Sequence, residues 1–313
     1  MRKVLITGGA GFIGSNLARY MLWQGDTAVS VFDDLSTGSR ANLEGISVEF
    51  IENTILDYDA LLAAAQGVDS IVHLAAIPSV PRSIANPRAS HDANTTGTLN
   101  VLEAAREASV GHVVVASSSS VYGSNPKLPK SEFDWTRPMS PYAVSKQATE
   151  GYALAYQFSY GLKTLAFRFF NVYGPLQAAD HAYAAVIPKF LDAAFDGRPA
   201  QIHGDGRQSR DFTYIDTLCA VIHTAVQDQV FSPDPVNLAY GTNTTLLELL
   251  DDIEGQLGHP VAREHTDPRT GDVRASQADN SRVRQLFPKV DPVPLEHGLA
   301  ETIAWFKQMK AGK

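Results

Sequence analysis

Cysteine is almost missing from this chain: the single Cys219 among 313 residues leaves no possible internal disulfide and fits a reducing compartment. An excess of basic residues is missing too, because 26 Lys and Arg stand against 34 Asp and Glu, a formal net charge of −8. This balance argues against a nucleic-acid partner, which needs a basic surface. The nine histidines include no pair at metal-ligand spacing, so no metal is predicted.

Long apolar runs are also absent. The apolar stretch that begins at Val4 is interrupted by Gly8, Gly9 and Gly11, so it predicts neither a signal peptide nor a membrane span. Hydrophobic residues make up 44% of the chain and charged residues 19%, which is ordinary globular composition. We therefore expect a cytoplasmic protein without a membrane partner.

Short aliphatic runs alternate with helix-length segments in the first half of the chain. This alternation predicts an α/β fold with a doubly wound parallel sheet, whose sites form at the carboxyl ends of the strands. The expected strands are Val4–Thr7, Ala28–Phe32, Ser70–Leu74, Val113–Ala116 and Thr164–Phe169, and the expected helices are Ile13–Gln24, Tyr58–Ala65, Thr95–Ala108 and Tyr142–Ser159.

The pattern changes after Asn171, where helical stretches are separated by connections rich in Pro and Gly. We expect a cofactor-binding domain over residues 1–171 and a smaller, mostly C-terminal substrate-binding lobe over 172–313. Part of 200–240 is expected to return to the first domain. The predicted C-terminal helices are Ala185–Phe195, Asp216–Val226, Leu246–Leu257 and Leu295–Met309.

A glycine-rich turn joins the first strand to the first helix. Gly8, Gly11 and Gly14 permit a tight turn and a close approach of the backbone to a pyrophosphate at the helix N-terminus. Asp33 ends the second strand, where its carboxylate can accept hydrogen bonds from both hydroxyls of an adenosine ribose. Because Asp33 would repel a 2′-phosphate, the sequence predicts NAD and not NADP.

The glycine spacing resembles that of the short-chain dehydrogenase/reductase family, and the resemblance extends along the whole chain. It is closest to the extended branch that includes the UDP-hexose 4-epimerases, among them enzymes of UDP-N-acetylglucosamine and UDP-glucuronate. This resemblance implies a Rossmann-type sheet with a smaller C-terminal lobe. The matching segments are His73–Ala76, Asn94–Thr98, Ser117–Gly123, Tyr142–Lys146 and Arg168–Gly174.

The same resemblance implies a set of cofactor contacts along the expected site. At one of them the chain departs from the family, because Asn53-Thr54-Ile55 stands where the family has Gly-Asp-Ile, and Thr54 is expected to replace the Asp through its hydroxyl. The full set of expected NAD contacts is Gly8, Gly11, Phe12, Ile13, Gly14, Asp33, Thr54, Ile55, Leu74, Ala75, Ala76, Asn94, Tyr142, Lys146 and Phe170.

Tyr142 and Lys146 are four residues apart, so a helix places them on one face. A phenol with an ordinary pKa of about 10 is a poor base at neutral pH, but a nearby ammonium group and a cationic nicotinamide would stabilise the phenolate. Ser118 matches the family's catalytic Ser or Thr. The related dehydratases carry an Asp-Glu pair where this chain has Ser119 and Ser120, so elimination of water is not expected.

The resemblance also implies a nucleotide-sugar substrate. Arg210 and Arg269 match arginines that bind the diphosphate, and a guanidinium group binds phosphate with two parallel hydrogen bonds. Ser276 stands where glucose-restricted enzymes have Tyr, which leaves room for an N-acetyl group, whereas Arg82 could meet a hexuronate carboxylate. The remaining expected contacts are Ser118, Ser119, Asn171, Val186, Ile187, Gln201, Ile202, His203 and Asp272.

These observations favour an isomerase that inverts carbon 4 of a nucleotide-linked hexose through a transient 4-keto sugar. Two alternatives remain open: an NAD-dependent nucleotide-sugar dehydrogenase or 4-keto reductase, and a non-catalytic NAD sensor of the same fold. The resemblance further implies a homodimer in which the helices Thr95–Ala108 and Tyr142–Ser159 of each copy form a four-helix interface.

Overall fold

The central sheet of the computed structural model is built from parallel strands, and its inner strands are mostly buried. The structure describes residues 1–179, 184–267 and 273–311. Burial on both faces explains why these strands are continuous aliphatic runs, as in β5, where six successive residues are buried. Six of its strands are β1 (Arg2–Thr7), β2 (Thr27–Asp33), β3 (Glu49–Glu52), β4 (Ser70–His73), β5 (His112–Ser118) and β6 (Lys163–Phe169).

Helices cover both faces of this sheet. Two of them begin at clear caps: Asp57 caps the second helix, and Ser140 caps the sixth, whose first residue is Pro141. The helices of the first half are α1 (Phe12–Gln24), α2 (Tyr58–Ala64), α3 (Val80–Ala85), α4 (Pro87–His91), α5 (Gly97–Glu107) and α6 (Pro141–Tyr160).

The C-terminal part is an assembly of short strand pairs and helices. Its strands are β7 (Asn171–Tyr173), β8 (Ala200–His203), β9 (Ser209–Arg210), β10 (Phe212–Tyr214), β11 (Val236–Leu238), β12 (Thr244–Thr245) and β13 (Arg263–Thr266). Its helices are α7 (Val186–Phe195), α8 (Ile215–Asp228), α9 (Leu246–Leu257), α10 (Ser281–Leu286) and α11 (Leu295–Ala311).

The seven-stranded sheet has the order β11-β6-β5-β4-β1-β2-β3, and all its neighbours are parallel. Helices α1 and α8 pack together on one face, whereas α2, α5 and α6 cover the other. The predicted fold, a Rossmann-type doubly wound sheet with a smaller C-terminal lobe, is therefore confirmed. Within the described ranges, no helix is both long and apolar enough to cross a membrane.

Several elements differ from the sequence-based expectation. The helix expected from Thr95 begins as a π-helical turn over Asp92–Thr96 before α5. Strand β3 and the short helices α3 and α4 were not expected, and the two helices exist because Ser79 and Asn86 cap them. Strand β11 joins the sheet edge from within the 200–240 segment, while the division into two domains stays a prediction.

Candidate active site

A cavity of about 750 Å³ follows the carboxyl edge of the sheet. This volume lies in the range of roughly 300–1,000 Å³ that is usual for small-molecule sites. The end of β5 and the loops that follow β1, β2, β3, β4 and β6 all contribute to its wall. The expected site residues that line it are Gly8, Gly11, Phe12, Ile13, Gly14, Asp33, Thr54, Ile55, Leu74, Ala75, Ala76, Arg82, Ser118, Tyr142, Lys146 and Phe170.

The glycine turn has no room for side chains. Gly8 has φ of +72°, and a Cβ there would come within 2.5 Å of the Ala75 nitrogen. A Cβ at Gly14 would come within 2.3 Å of the Gly8 oxygen. Gly8 is required by its backbone conformation, and Gly14 is required by the close packing of the first turn of α1 on the loop.

Gly11 differs from the other two because, among the described residues, a Cβ there would come no closer to another atom than 3.3 Å, the distance to the Gly8 oxygen. Gly11 is the N-cap of α1, no side chain caps this helix, and its first turn has no acidic residue. The open N–H groups and positive end of α1 therefore face the cavity beside Gly11. That arrangement suits an anionic group such as a pyrophosphate.

Asp33 lies at the end of β2 and is only 7% exposed. One carboxylate oxygen accepts from the Ala10 N–H at 2.9 Å, and the other accepts from the Leu35 N–H at 2.8 Å. Each oxygen keeps a lone pair, so both can still accept from a diol. Burial raises the pKa of Asp33, and its hydrogen bonds with the Leu35 and Ala10 N–H groups oppose that shift.

Arg40, the nearby cation that could have met a 2′-phosphate, has other partners. Its guanidinium group forms a salt bridge with Glu52 at 2.9 Å and lies over the ring of Phe50 at 4.7 Å. The Arg40 side chain is 67% exposed, so Arg40 is a surface residue.

Tyr142 and Lys146 lie in the first two turns of α6, opposite the end of β5. Ser118 hydrogen-bonds the Tyr142 hydroxyl, which lowers the pKa of the phenol, but burial has the larger effect and raises it. The Lys146 ammonium donates to the Ala116 carbonyl at 2.8 Å, and burial lowers its pKa to about 8. The three groups that the sequence singled out therefore meet in the cavity.

His73, at the end of β4, has a neutral and fully hydrogen-bonded ring. Its Nδ1 lies 2.8 Å from the Thr7 hydroxyl, and its Nε2 lies 3.0 Å from the Thr98 hydroxyl. Burial, followed by repulsion from Lys146, lowers the pKa of His73 to about 3. His73 therefore contributes hydrogen bonds and no charge. Among the described residues, no cluster of three His, Cys, Asp or Glu could hold a metal ion.

Asn94, an expected cofactor contact, is 1% exposed and is bonded within the protein. Its amide group accepts from the Ile77 N–H at 2.7 Å and donates to the Ile77 carbonyl and to the Ser145 hydroxyl. Asn94 therefore fixes the loop after β4 against α6. Asp92 and Ala93, the two residues before it, are the ones that line the cavity wall.

Three of the expected substrate contacts, Arg210, Ser276 and Asn171, lie near one another, and none of them is among the described residues that line the cavity. Ser276 donates its N–H to the Ser209 carbonyl next to Arg210, whose guanidinium group reaches the same carbonyl at 2.8 Å. Asn171 joins this group through the Asp211 carbonyl. Gln201, Ile202 and His203 lie in β8, Val186 and Ile187 begin α7, and Ser119 begins the turn after β5.

Two expected contacts, Arg269 and Asp272, lie outside the described residues. Other wall residues were missed by the sequence reasoning. Ser36, Thr37 and Asn42 follow β2, and Leu176 and Gln177 follow the Asn171–Gly174 motif. Their position just after a strand end or a motif was the signal that could have found them.

Comparison with known proteins identifies the family. The model of the NAD dependent epimerase/dehydratase family matches residues 4–239. The UDP-glucose 4-epimerase of Mycolicibacterium smegmatis is 38% identical over 97% of this chain and 98% of its own length. This chain therefore belongs to the NAD dependent epimerase/dehydratase family.

Two solved structures are similar over nearly the whole chain. The UDP-N-acetylglucosamine 4-epimerase of Methanobrevibacter ruminantium M1, in complex with UDP-N-acetylmuramic acid, has a TM-score of 0.93 and 35% identity, covering 98% of this chain and 99% of its own. The UDP-glucuronic acid 4-epimerase of Bacillus cereus, with UDP-glucuronic acid and NAD, has a TM-score of 0.90 and 30% identity, with the same coverage.

Proposed function

We propose that this protein is an NAD-dependent isomerase that inverts carbon 4 of a UDP-linked hexose. The observation that carries the proposal is the meeting of Ser118, Tyr142 and Lys146 in one cavity with an uncapped helix N-terminus and Asp33. Its relatives act on UDP-glucose, UDP-glucuronate and UDP-N-acetylglucosamine according to their names. The common chemistry is inversion of a secondary alcohol. This reaction needs a base and a hydride acceptor, and water is not a reactant.

The cavity wall carries groups that suit the pyrophosphate, the adenosine ribose and the nicotinamide of NAD. The glycine turn admits a pyrophosphate where side chains would clash, and Asp33 offers two oxygens to the adenosine ribose while Arg40 is engaged with Glu52. Phe170, Leu74 and Ala75 supply apolar wall toward Tyr142. When bound, NAD supplies reversible hydride transfer at carbon 4 of the sugar.

In this proposal Tyr142 removes the proton of the sugar's 4-hydroxyl group and later returns it. Ser118 donates to the same oxygen and holds it beside Tyr142. Burial alone raises the pKa of Tyr142, so ionisation of the phenol depends on positive charge brought close to it. Lys146 supplies part of that charge, and its own lowered pKa of about 8 leaves it mostly protonated at neutral pH.

The residues after β5 favour epimerisation over dehydration. Ser119 and Ser120 form the short turn after Ser118, where dehydratases of the family have two carboxylates. The carboxylates of the described cavity wall are Asp33, Asp34 and Asp92, which lie on other segments. With no acid and base beside carbons 5 and 6, a 4-keto sugar would not lose water by elimination. Its carbonyl group at carbon 4 would instead be reduced again.

The two alternative functions make different demands on the protein. A non-catalytic sensor has no use for the Tyr142, Lys146 and Ser118 arrangement that the cavity retains. A simple dehydrogenase or 4-keto reductase would have to release its cofactor after each turnover. An epimerase instead keeps NAD bound, so purified protein should retain it through gel filtration.

Arg210 and Arg269 are the proposed diphosphate ligands, and Gln201, Ile202, His203, Val186 and Ile187 are proposed to flank the uracil. The proposal draws support from the common position of Arg210, Ser276 and Asn171 beside one another. Asn171 is proposed to contact a phosphate or a sugar hydroxyl group, and Asp272 is proposed as a further substrate contact. Because Ser276 is small, we favour an N-acetylhexosamine as the sugar. If the sugar is a hexuronate instead, Arg82 is the proposed partner of its carboxylate.

A homodimer is proposed through α5 and α6 of two copies. The outer side of α6 carries Val144, Ala148, Gly151, Ala155 and Phe158 at alternating steps of four and three, the spacing of a helix-packing seam. Val144 is 54% exposed and Phe158 is 75% exposed. A Cβ at Gly151 would meet no atom of the described residues within 4 Å, so their packing in one copy does not require the glycine, which costs about 1 kcal/mol in a helix.

The cellular location also remains a proposal. Cys219 is fully buried as a free thiol, which fits the reducing cytoplasm.

A panel of nucleotide sugars tests the proposed function. Wild-type protein should convert at least one UDP-hexose into its 4-epimer, followed by nuclear magnetic resonance of the anomeric proton. Tyr142→Phe keeps the ring but loses the hydroxyl, so it should retain NAD and turn over at least about a hundredfold more slowly. Absence of any 4-epimer with the wild type would refute the assignment, and near-normal turnover of Tyr142→Phe would remove Tyr142 from the mechanism.

A further inference from the structure

A buried cluster of three polar side chains, Ser117, Glu150 and Arg168, lies directly beneath the proposed catalytic groups. The Arg168 guanidinium group donates to both Glu150 oxygens, at 2.9 Å from Nε and 2.6 Å from Nη2. The Ser117 hydroxyl donates to Glu150 Oε2 at 3.0 Å. Only 4% of the Arg168 side chain and 9% of the Glu150 side chain are exposed. We call these residues the Ser117 cluster.

The members of the cluster lie in or beside the two elements that carry the proposed catalytic groups, β5 and α6. Ser117 precedes Ser118 in β5, and Glu150 lies one helical turn after Lys146 in α6. The Ser117 hydroxyl is also 3.3 Å from the Lys146 carbonyl, and the Lys146 ammonium reaches the Ala116 carbonyl at 2.8 Å. The end of β5 is thereby bonded to α6 at the height of the cavity.

Arg168 anchors the cluster to the sheet and to the next loop. It is the direct partner of Ser117 in the pairing of β5 with β6. Its guanidinium carbon lies 4.7 Å from the centre of the Tyr122 ring, and its Nη1 donates to the Glu132 carbonyl at 3.3 Å. The Tyr122 hydroxyl in turn donates to Asn237 at 2.7 Å. The guanidinium group that binds Glu150 is therefore held in place by strand pairing, by the Tyr122 ring and by the Glu132 carbonyl.

A buried ion pair of this kind is poor evidence for stability, because desolvation offsets much of the attraction. Its bidentate geometry, however, fixes distance and direction better than apolar packing does. In acid–base chemistry a displacement of about 1 Å can cost about a hundredfold in rate. A device that fixes β5 against α6 is therefore worth most beside the reacting groups.

We propose that Ser117, Glu150 and Arg168 are positioning residues that set the separation of Ser118 from Tyr142 and Lys146. This inference rests on the proposed function. The cluster acts through geometry, because both Glu150 oxygens are bonded to the Arg168 guanidinium group and one of them also accepts from the Ser117 hydroxyl. Arg168 balances the charge of Glu150 at hydrogen-bond distance.

Ser117→Ala tests the proposal with the smallest change, since it removes one hydroxyl group and leaves the ion pair intact. The matched control is Thr164→Val, because the buried Thr164 hydroxyl also donates to a carbonyl of α6, that of Ala153 at 2.9 Å, far from Lys146. Ser117→Ala should lower kcat about tenfold or more, with KM and the amount of bound NAD unchanged. Thr164→Val should keep kcat within about twofold while losing comparable stability.

A double-mutant cycle with Glu150→Gln completes the test. If one cluster does the positioning, Ser117→Ala should cost little further kcat in the Glu150→Gln background. Full kcat in Ser117→Ala, an equal loss in Thr164→Val, a loss confined to KM or additive losses would each overturn the proposal. Reduction of the bound cofactor by a nucleotide sugar, measured as a single turnover, reads the same positioning even if the wild type proves not to form a 4-epimer.

Discussion

Replacing Lys146 by Met should make the protein more stable while it abolishes turnover. Burial lowers the pKa of Lys146 from 10.5 to about 8, which corresponds to about 3 kcal/mol of unfavourable free energy for the charged form in the folded state. Met fills a similar volume without a charge. Loss of the hydrogen bond to the Ala116 carbonyl costs about 1 kcal/mol, so the free energy of unfolding should increase by about 2 kcal/mol.

The sign of the pH dependence follows from the same shift. Below the folded pKa of about 8, both folded and unfolded chains carry a protonated Lys146, so the whole penalty is present. Between about pH 8 and the unfolded value of 10.5, only the unfolded chain binds that proton, and wild-type stability rises with pH. The advantage of Lys146→Met should therefore be largest near neutral pH and should shrink as the pH rises through this window.

Denaturant unfolding of cofactor-free protein at about pH 7 and about pH 9.5 measures both quantities. Lys307→Met, at an exposed position of α11, is the control for loss of a lysine without burial. It should change the free energy of unfolding little and equally at both pH values. A Lys146→Met variant that is less stable than the wild type, or whose advantage does not depend on pH, would refute the reasoning.

Three further outcomes are expected. Cofactor extracted from the purified protein should be NAD, because Asp33 would repel a 2′-phosphate, and recovery of mainly NADP would contradict this role of Asp33. Ser276→Tyr should suppress turnover of an N-acetylated hexose by about ten- to a hundredfold while bound NAD and the plain hexose are spared; equal loss on both sugars would count against Ser276 as the selective residue. Gly151→Glu should yield monomers in sedimentation by burying a carboxylate in the proposed interface. The matched Gly255→Glu, on an exposed face of α9 with equal open space, should remain dimeric, and dimeric Gly151→Glu would exclude this interface.

Much of the cofactor half of the molecule was predictable because its determinants are local. Gly8 is required by its positive φ and Gly14 by its contact with the Gly8 oxygen six residues earlier, while the spacing of Tyr142 and Lys146 needs only a helix to bring them together. The alternation of aliphatic runs sufficed for the parallel sheet.

The loop after β4 was less predictable, because tertiary contacts decide its conformation. Ser79 has φ of +94°, an uncommon value for a residue with a side chain, and caps the unexpected helix α3 beside the cavity. Asn94 stays an expected cofactor contact, and its amide group also hydrogen-bonds the Ile77 N–H and the Ser145 hydroxyl. A sequence motif indicates that a residue matters to the site without saying which atoms it contacts.

The place of β11 in the sheet has a consequence for how the chain can be made and divided. The chain leaves the sheet after β6, forms β7 to β10 with α7 and α8, and returns at Val236–Leu238 to cover the outer edge of β6. A nascent polypeptide that has emerged only to about residue 171 would carry an open strand edge and a sheet face without α8, both prone to aggregation. A gene split or limited proteolysis in the connection after β6 would thus separate strands of one sheet, and the two products should need each other to fold.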